Sequence, residues 1–83
     1  MATSGKWQGW VQVKWKPGAP DSAWKSWSKS PCVKGVWSTQ GNWDCSVWLD
    51  VKTPDELEEF VWKKIRSNKW VEETESYWAK KWY

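Results

Sequence analysis

The stretch CSVWLDVKTPDELEEFVWKKIRS, residues 45–67, predicts a strand that leads directly into a helix. Its first seven residues place Cys, Val, Leu and Val at every second position, which is typical of a strand with one buried face. Thr53, Pro54 and Glu56 then form a capping box: Thr53 caps the helix, Pro54 takes the first helical position and Glu56 reaches back. Apolar residues recur at helical spacing to the end of the stretch, which predicts an amphipathic helix.

The rest of the chain is divided by Pro, Gly and Asn into four further elements. Besides the strand at 43–52, we predict strands at 10–16, 33–39 and 71–83, and a short helix at 21–30 that begins with an Asp21-Ser22 cap. The last segment also contains Glu, Ala and Lys, so a helix competes with the strand there. The order β-α-β-β-α-β is that of an α+β, ferredoxin-like fold: an antiparallel four-stranded sheet with both helices on one face.

Such a sheet leaves its second face uncovered, and tryptophans are predicted to lie there. If the second and third strands pair around a turn at Gly41, Ser38 lies near Cys45. Trp10, Trp37 and Trp48 then share the face opposite the helices. A large exposed apolar patch of this kind is usually hidden in an interface, so we predict that these three residues form a dimer interface.

Tryptophan is the dominant large apolar residue of the chain. The 83 residues include 12 Trp but only one Phe and two Tyr, whereas cores are ordinarily built from Leu, Ile, Val and Phe. The Trp residues are therefore either a functional stacking surface or the result of deliberate alteration of a family sequence. Trp24 and Trp27, three residues apart in the predicted first helix, are expected in the core. Trp62 lies off the apolar stripe of the second helix, and the pattern offers no explanation for Trp70.

Composition argues against several classes of function. The net charge is +3, without a polybasic run, so the electrostatic signature of a nucleic-acid binder is weak. The chain has no histidine, and Cys32 and Cys45 lack metal-ligand spacing, so we expect no catalytic site, metal or cofactor. No signal peptide or membrane span is recognisable, which predicts a cytoplasmic protein without a membrane partner. Strand pairing puts Cys32 and Cys45 ~20 Å apart, too far for an intrachain disulfide.

The chain resembles the effector-binding regulatory domain of the Lrp/AsnC transcription regulators. The resemblance lies in the order and spacing of four segments: VKWKPG (13–18), SPCVKGVWSTQGNWD (30–44), residues 45–67, and VEETESYWAKK (71–81). It implies that two sheets pair face to face as a dimeric α/β barrel, and that dimers associate into rings. It also implies that amino-acid effectors bind in clefts between dimers.

The resemblance assigns effector-binding residues by matching motif. Gly41, Asn42 and Asp44 of the turn would hold the effector's polar groups, and Thr74 and Ser76 would contribute from the last strand. A carboxylate suits the effector's ammonium, and turn N–H groups suit its carboxylate. The alternative interpretation is that Gly41 serves only the turn and that Asp44 only caps it.

Two departures from the family pattern shape the predicted organisation. Relatives carry an N-terminal helix-turn-helix, whereas here a flexible segment, 1–9, is predicted to precede the domain, 10–83. We therefore expect a stand-alone form without direct DNA binding. Trp also occupies many positions expected to be aliphatic, Tyr or Phe, which suggests an engineered, Trp-rich scaffold. The alternative function is a Trp-rich module that binds single-stranded nucleic acid or flat aromatic or sugar ligands.

Overall fold

The computed structural model describes residues 7–80 and contains one four-stranded antiparallel sheet with two helical segments. The strands are β1 (Trp7–Trp15), β2 (Val33–Ser38), β3 (Cys45–Val51) and β4 (Val71–Lys80), in the spatial order β2-β3-β1-β4. The first helical segment, α1, is a 3-10 turn (Asp21–Trp24) continued by an α-helix (Lys25–Ser28). The second, α2, is an α-helix (Pro54–Phe60) continued by a π-helical stretch (Val61–Ile65). The predicted α+β, ferredoxin-like fold is confirmed.

The hydrophobic core lies between the sheet and the two helical segments. Alternate residues of the two central strands point into it, and the apolar stripe of α2 covers them. The buried apolar side chains are Val11, Val13, Trp27, Cys45, Val47, Leu49, Val51, Leu57, Phe60, Val61 and Ile65. Because both central strands expose every second side chain on the other face, that face of the sheet has no helix from residues 7–80 over it.

β1 begins at Trp7, earlier than the predicted start at Trp10. Gly9 lies inside the strand and is buried, and a Cβ atom there would come within 2.5 Å of a methyl carbon of Leu57. Gly9 therefore lets α2 approach the sheet closely, and it does not terminate the strand. The Trp7 ring packs edge-on against Trp78 of β4, with 4.7 Å between centroids. Of the predicted flexible segment 1–9, residues 7–9 thus belong to the sheet, and residues 1–6 lie outside the described residues.

The predicted capping box at the start of α2 is present. The hydroxyl of Thr53 accepts a hydrogen bond from the amide of Glu56 at 3.2 Å. The carboxylate of Glu56 accepts from the amide of Lys52 at 2.8 Å, one residue further back than the standard box. At the other end of the helix, the carbonyl of Lys64 accepts the indole N–H of Trp27 at 2.9 Å. The buried indole is therefore satisfied by a carbonyl from the π-helical stretch.

The first helical segment differs from the prediction in two respects. Its N-cap is Pro20, with no side-chain capping bond, so the predicted Asp21-Ser22 cap was wrong. The helical segment instead begins with a 3-10 turn, because Pro20 holds an extended conformation immediately before that turn. Trp27 is buried and stacks on Trp15 at 5.4 Å, whereas Trp24 is 37% exposed. The expectation that both tryptophans join the core holds only for Trp27.

The predicted hairpin register is confirmed, because Ser38 pairs with Cys45 across β2 and β3. Cys32 lies at the far end of this hairpin, where its carbonyl accepts the amide of Asp50 at 2.8 Å. Both cysteines are free thiols, as expected from their separation along the hairpin.

Candidate functional site

The turn between β2 and β3 carries three of the predicted effector-binding residues. Gly41 has a φ of 100°, which a residue with a side chain rarely adopts. The carboxylate of Asp44 accepts a hydrogen bond from the amide of Trp15 at 3.0 Å, and the Asp44 amide donates to the carbonyl of Val13 at 2.9 Å. Asp44 therefore joins the turn to the end of β1, and the interpretation that it only caps its own turn is incomplete.

The other two predicted residues lie on β4. Thr74 pairs with Val13 and Ser76 with Val11, so both face the helical side of the sheet, and both are half-buried. Asp44 contacts the same Val13 from the opposite edge of β1. Within one protomer the end of β1 thus separates the turn from Thr74 and Ser76.

Thr74 lines a polar groove of about 490 Å³ between the end of α2 and the start of β4. The remaining lining residues are Arg66, Val71, Glu72 and Glu73. The guanidinium of Arg66 lies over the exposed ring of Trp62, 4.4 Å from its centroid, which holds the cation beside the groove. Gly41, Asn42 and Asp44 do not line this groove.

The three predicted interface residues lie together on the uncovered sheet face. Trp10 and Trp48 are directly opposed on the central strands, and their rings stack at 5.6 Å with an interplanar angle of 4°. Trp37 pairs with Ser46, which places it on the same face, where it is 56% exposed. Tyr77, also exposed, flanks Trp10 on β4. We call the uncovered face carrying Trp10, Trp37, Trp48 and Tyr77 the open face.

Polar groups on the open face are unevenly distributed. On β1, β3 and β4, the strand register puts the single cation Lys14 on this face together with the carboxylates of Asp50, Glu73 and Glu75. On these three strands the carboxylates outnumber the cations, which disfavours polyanions there. Among the described residues, three polar side-chain atoms of this face are buried without a hydrogen-bond partner: the indole nitrogen of Trp48, one carboxylate oxygen of Asp50 and the amide oxygen of Gln12.

The two thiols are poor nucleophiles. Burial, followed by the nearby charge of Asp44, raises the pKa of Cys45 to about 11. Burial also raises the pKa of Cys32, although its backbone hydrogen bond opposes this. Both are therefore protonated near neutral pH. Residues 7–80 contain no cluster of side chains suited to a metal ion. None of the helices in the same range is long and apolar enough to span a lipid bilayer.

Comparison with known proteins settles the family. The profile of the Lrp/AsnC ligand binding domain matches residues 8–81, nearly the whole chain. The chain belongs to the Lrp/AsnC family. Among solved structures, this Lrp/AsnC domain is similar to a protein of Thermus thermophilus, with a TM-score of 0.82 and 25% identity over 93% of this chain and 96% of that one. No curated protein sequence matches the chain.

Two longer structures share the fold. Escherichia coli AsnC superposes with a TM-score of 0.78 at 17% identity, over 92% of this chain and 52% of that one. A Neisseria meningitidis transcriptional regulator in complex with L-Met has a TM-score of 0.76 at 20% identity, over 94% of this chain and 52% of that one. This Lrp/AsnC domain therefore spans about half the length of these two regulators.

Two residues of this Lrp/AsnC domain were missed by sequence reasoning. Arg66 joins the Thr74 groove through the end of α2, and no local motif signals that contact. Tyr77 joins the open face, and the alternation along β4, once its register with Trp10 is known, identifies it.

Proposed function

We propose that this Lrp/AsnC domain is an oligomeric regulatory domain that binds a free amino acid. The observation that carries the proposal is the Asp44 carboxylate, which the amide of Trp15 holds in place at an exposed turn beside Gly41 and Asn42. A fixed carboxylate suits the ligand's ammonium, and the N–H groups of the turn suit its carboxylate. The L-Met complex of the Neisseria meningitidis relative supports an amino acid as the ligand class.

Thr74 and Ser76 complete the proposed site from a neighbouring protomer. Within one chain β1 lies between these residues and the turn, so a cleft that uses both sets needs a second copy of the protein. A site of this kind couples ligand binding to assembly, because the ligand stabilises the oligomer that contains the complete cleft. Homodimers, and rings built from them, are the assemblies we propose.

The open face is the proposed dimer interface. Its rings are already clustered, and aromatic side chains each bury ~150–250 Å² when fully covered. Covering only part of this area at ~25 cal/mol per Å² contributes several kcal/mol per protomer, enough to drive association. The excess of carboxylates over Lys14 argues against the alternative, a single-stranded nucleic-acid surface.

Two further proposals concern the origin of the Trp residues and the cellular compartment of the protein. We propose that the Trp residues were introduced into a natural family scaffold, because they occupy both core positions such as Trp27 and exposed ones such as Trp62. We also propose a cytoplasmic location, which the two free thiols support, since unpaired cysteines are typical of reducing compartments.

Calorimetric titration with each of the twenty common amino acids tests the ligand class. We expect saturable binding of at least one, weakened about 10- to 100-fold in Asp44→Asn, because the charge-assisted bond to the ammonium is lost. The matched control is Asp55→Asn, at the exposed first turn of α2, which should bind as the parent does. Failure of every amino acid to bind, or unchanged binding in Asp44→Asn, would contradict the proposed site.

Light scattering coupled to gel filtration tests the interface with two exposed tryptophans. Trp37→Lys on the open face should shift the even-numbered parent assembly towards smaller species. Trp62→Lys, on the outer side of α2 and similarly exposed, should not change the assembly. A parent that runs as a 9.9 kDa monomer at micromolar concentration refutes the oligomer.

A further inference from the structure

A second groove lies at the opposite end of the β2–β3 hairpin from the Gly41 turn. β2 begins at Val33, opposite Leu49, whereas β3 continues to Val51. Past Val33, the edge of β3 and the flank of α2 therefore border an open groove of about 590 Å³. This volume falls in the range of small-molecule sites.

The floor of this groove is apolar. Pro31 and Cys32 form one side and Phe60 of α2 forms the other. Cys32 is half-buried and carries a neutral thiol, so it packs as a small apolar group. The floor suits a ring or a branched alkyl group.

The rim of the groove has a small excess of cations, because four lysines line it against three carboxylates. Of its carboxylates, Glu59 pairs with Lys63 at 2.9 Å, and Glu56 accepts the amide of Lys52 at 2.8 Å. Asp50 also lines the groove, and strand alternation turns its side chain towards the open face.

Three further ammonium groups line the same rim. They belong to Lys34, Lys52 and Lys64, and the described part of the chain provides none of them with an ion pair. Cations on the rim of an apolar floor match a molecule with an apolar body and one anionic group.

We propose that this groove binds a small apolar monocarboxylate, such as an arylacetate. Its ring lies against Phe60 and Cys32, and its carboxylate meets the ammonium groups of Lys34, Lys52 and Lys64. The site is separate from the Gly41 turn, since Cys32 lies opposite Asp50 whereas the turn precedes Cys45.

Alkylation of Cys32 by neutral iodoacetamide provides a footprint of the groove. Phenylacetate should slow labelling of Cys32 at least threefold at saturation, and the neutral isostere phenylacetamide should not. Cys45 is buried and serves as the internal control, because it should stay unlabelled in the folded protein throughout. The rate is measured by mass spectrometry at mildly alkaline pH. Equal protection by phenylacetate and phenylacetamide overturns the anionic preference, and no protection overturns the site.

Calorimetry with phenylacetate gives an independent measurement. Lys34→Gln/Lys64→Gln should weaken binding at least tenfold, whereas the matched variant Lys25→Gln/Lys29→Gln on α1 should bind normally. Absence of saturable binding up to about 10 mM, or equal affinity of both variants, refutes the proposal. Asp44→Asn should bind phenylacetate as the parent does. This result distinguishes failure of the groove from failure of the amino-acid site.

Discussion

Replacement of Asp44 by alanine should lower the stability of the protein even without ligand. The carboxylate accepts the amide of Trp15 at 3.0 Å and so holds the end of β1 against the turn. Hydrogen bonds to charged groups contribute ~1.5–3 kcal/mol, but this bond is exposed and water replaces part of it. We therefore expect a loss of about 1 kcal/mol. For a domain of this size that corresponds to a fall in Tm of ~4–8 °C.

Asp44→Asn is the matched control, because its amide oxygen still accepts from Trp15 although the charge is gone. Differential scanning calorimetry at equal protomer concentration and pH 7 should place its Tm much closer to that of the parent than to that of Asp44→Ala. Equal losses in both variants would show that charge, and not the Trp15 hydrogen bond, gives Asp44 its structural effect. No loss in Asp44→Ala would show that the hydrogen bond from Trp15 contributes nothing to stability.

Three further outcomes are expected. Gly9→Ala should lower the free energy of unfolding in urea by ~1–3 kcal/mol, since its Cβ meets Leu57 at 2.5 Å. Adding Leu57→Ala to the same chain should relieve part of that cost, and strictly additive losses would contradict the contact. Trp27→Phe should lower the free energy of unfolding by ~1–3 kcal/mol, because the carbonyl of Lys64 loses its hydrogen-bond donor. An unchanged Tm would argue against that hydrogen bond. Burial raises the pKa of Cys45 from 9.0 to about 11, so the stabilisation from its neutral thiol is complete below pH 9 and is lost as the pH rises towards 11. Cys45→Ala should flatten the dependence of the free energy of unfolding on pH between pH 9 and 11. An unchanged slope would show that Cys45 does not cause this dependence.

The elements that sequence predicted correctly are those governed by neighbours in the chain. The alternation from Cys45 to Val51 and the Thr53 cap both act within a few residues, and both are present. The start of β1 was missed because glycine weakens a strand in isolation, whereas here Gly9 lets Leu57 of α2 pack closely against the strand. Trp24 was wrongly predicted to lie in the core, because helical spacing alone does not show that α1 begins with a 3-10 turn.

The candidate site was predictable in its residues but not in its geometry. The Gly41 turn follows from local sequence, and its role follows from resemblance to the family. The bond between Asp44 and Trp15 joins residues 29 positions apart, so no local pattern reveals it. The Arg66 groove and the groove beside Cys32 likewise depend on how α2 lies on the sheet.

The most direct test of the amino-acid site is a two-dimensional NMR titration of ¹⁵N-labelled protein. On addition of the amino acid that binds best, we expect the largest amide shifts at Gly41, Asn42 and Asp44, with smaller ones at Thr74 and Ser76. No shifts in the turn for any amino acid would contradict it. The contradiction would be complete if a single-stranded oligonucleotide instead shifted the indole N–H signals of the open face and bound less tightly as salt increased.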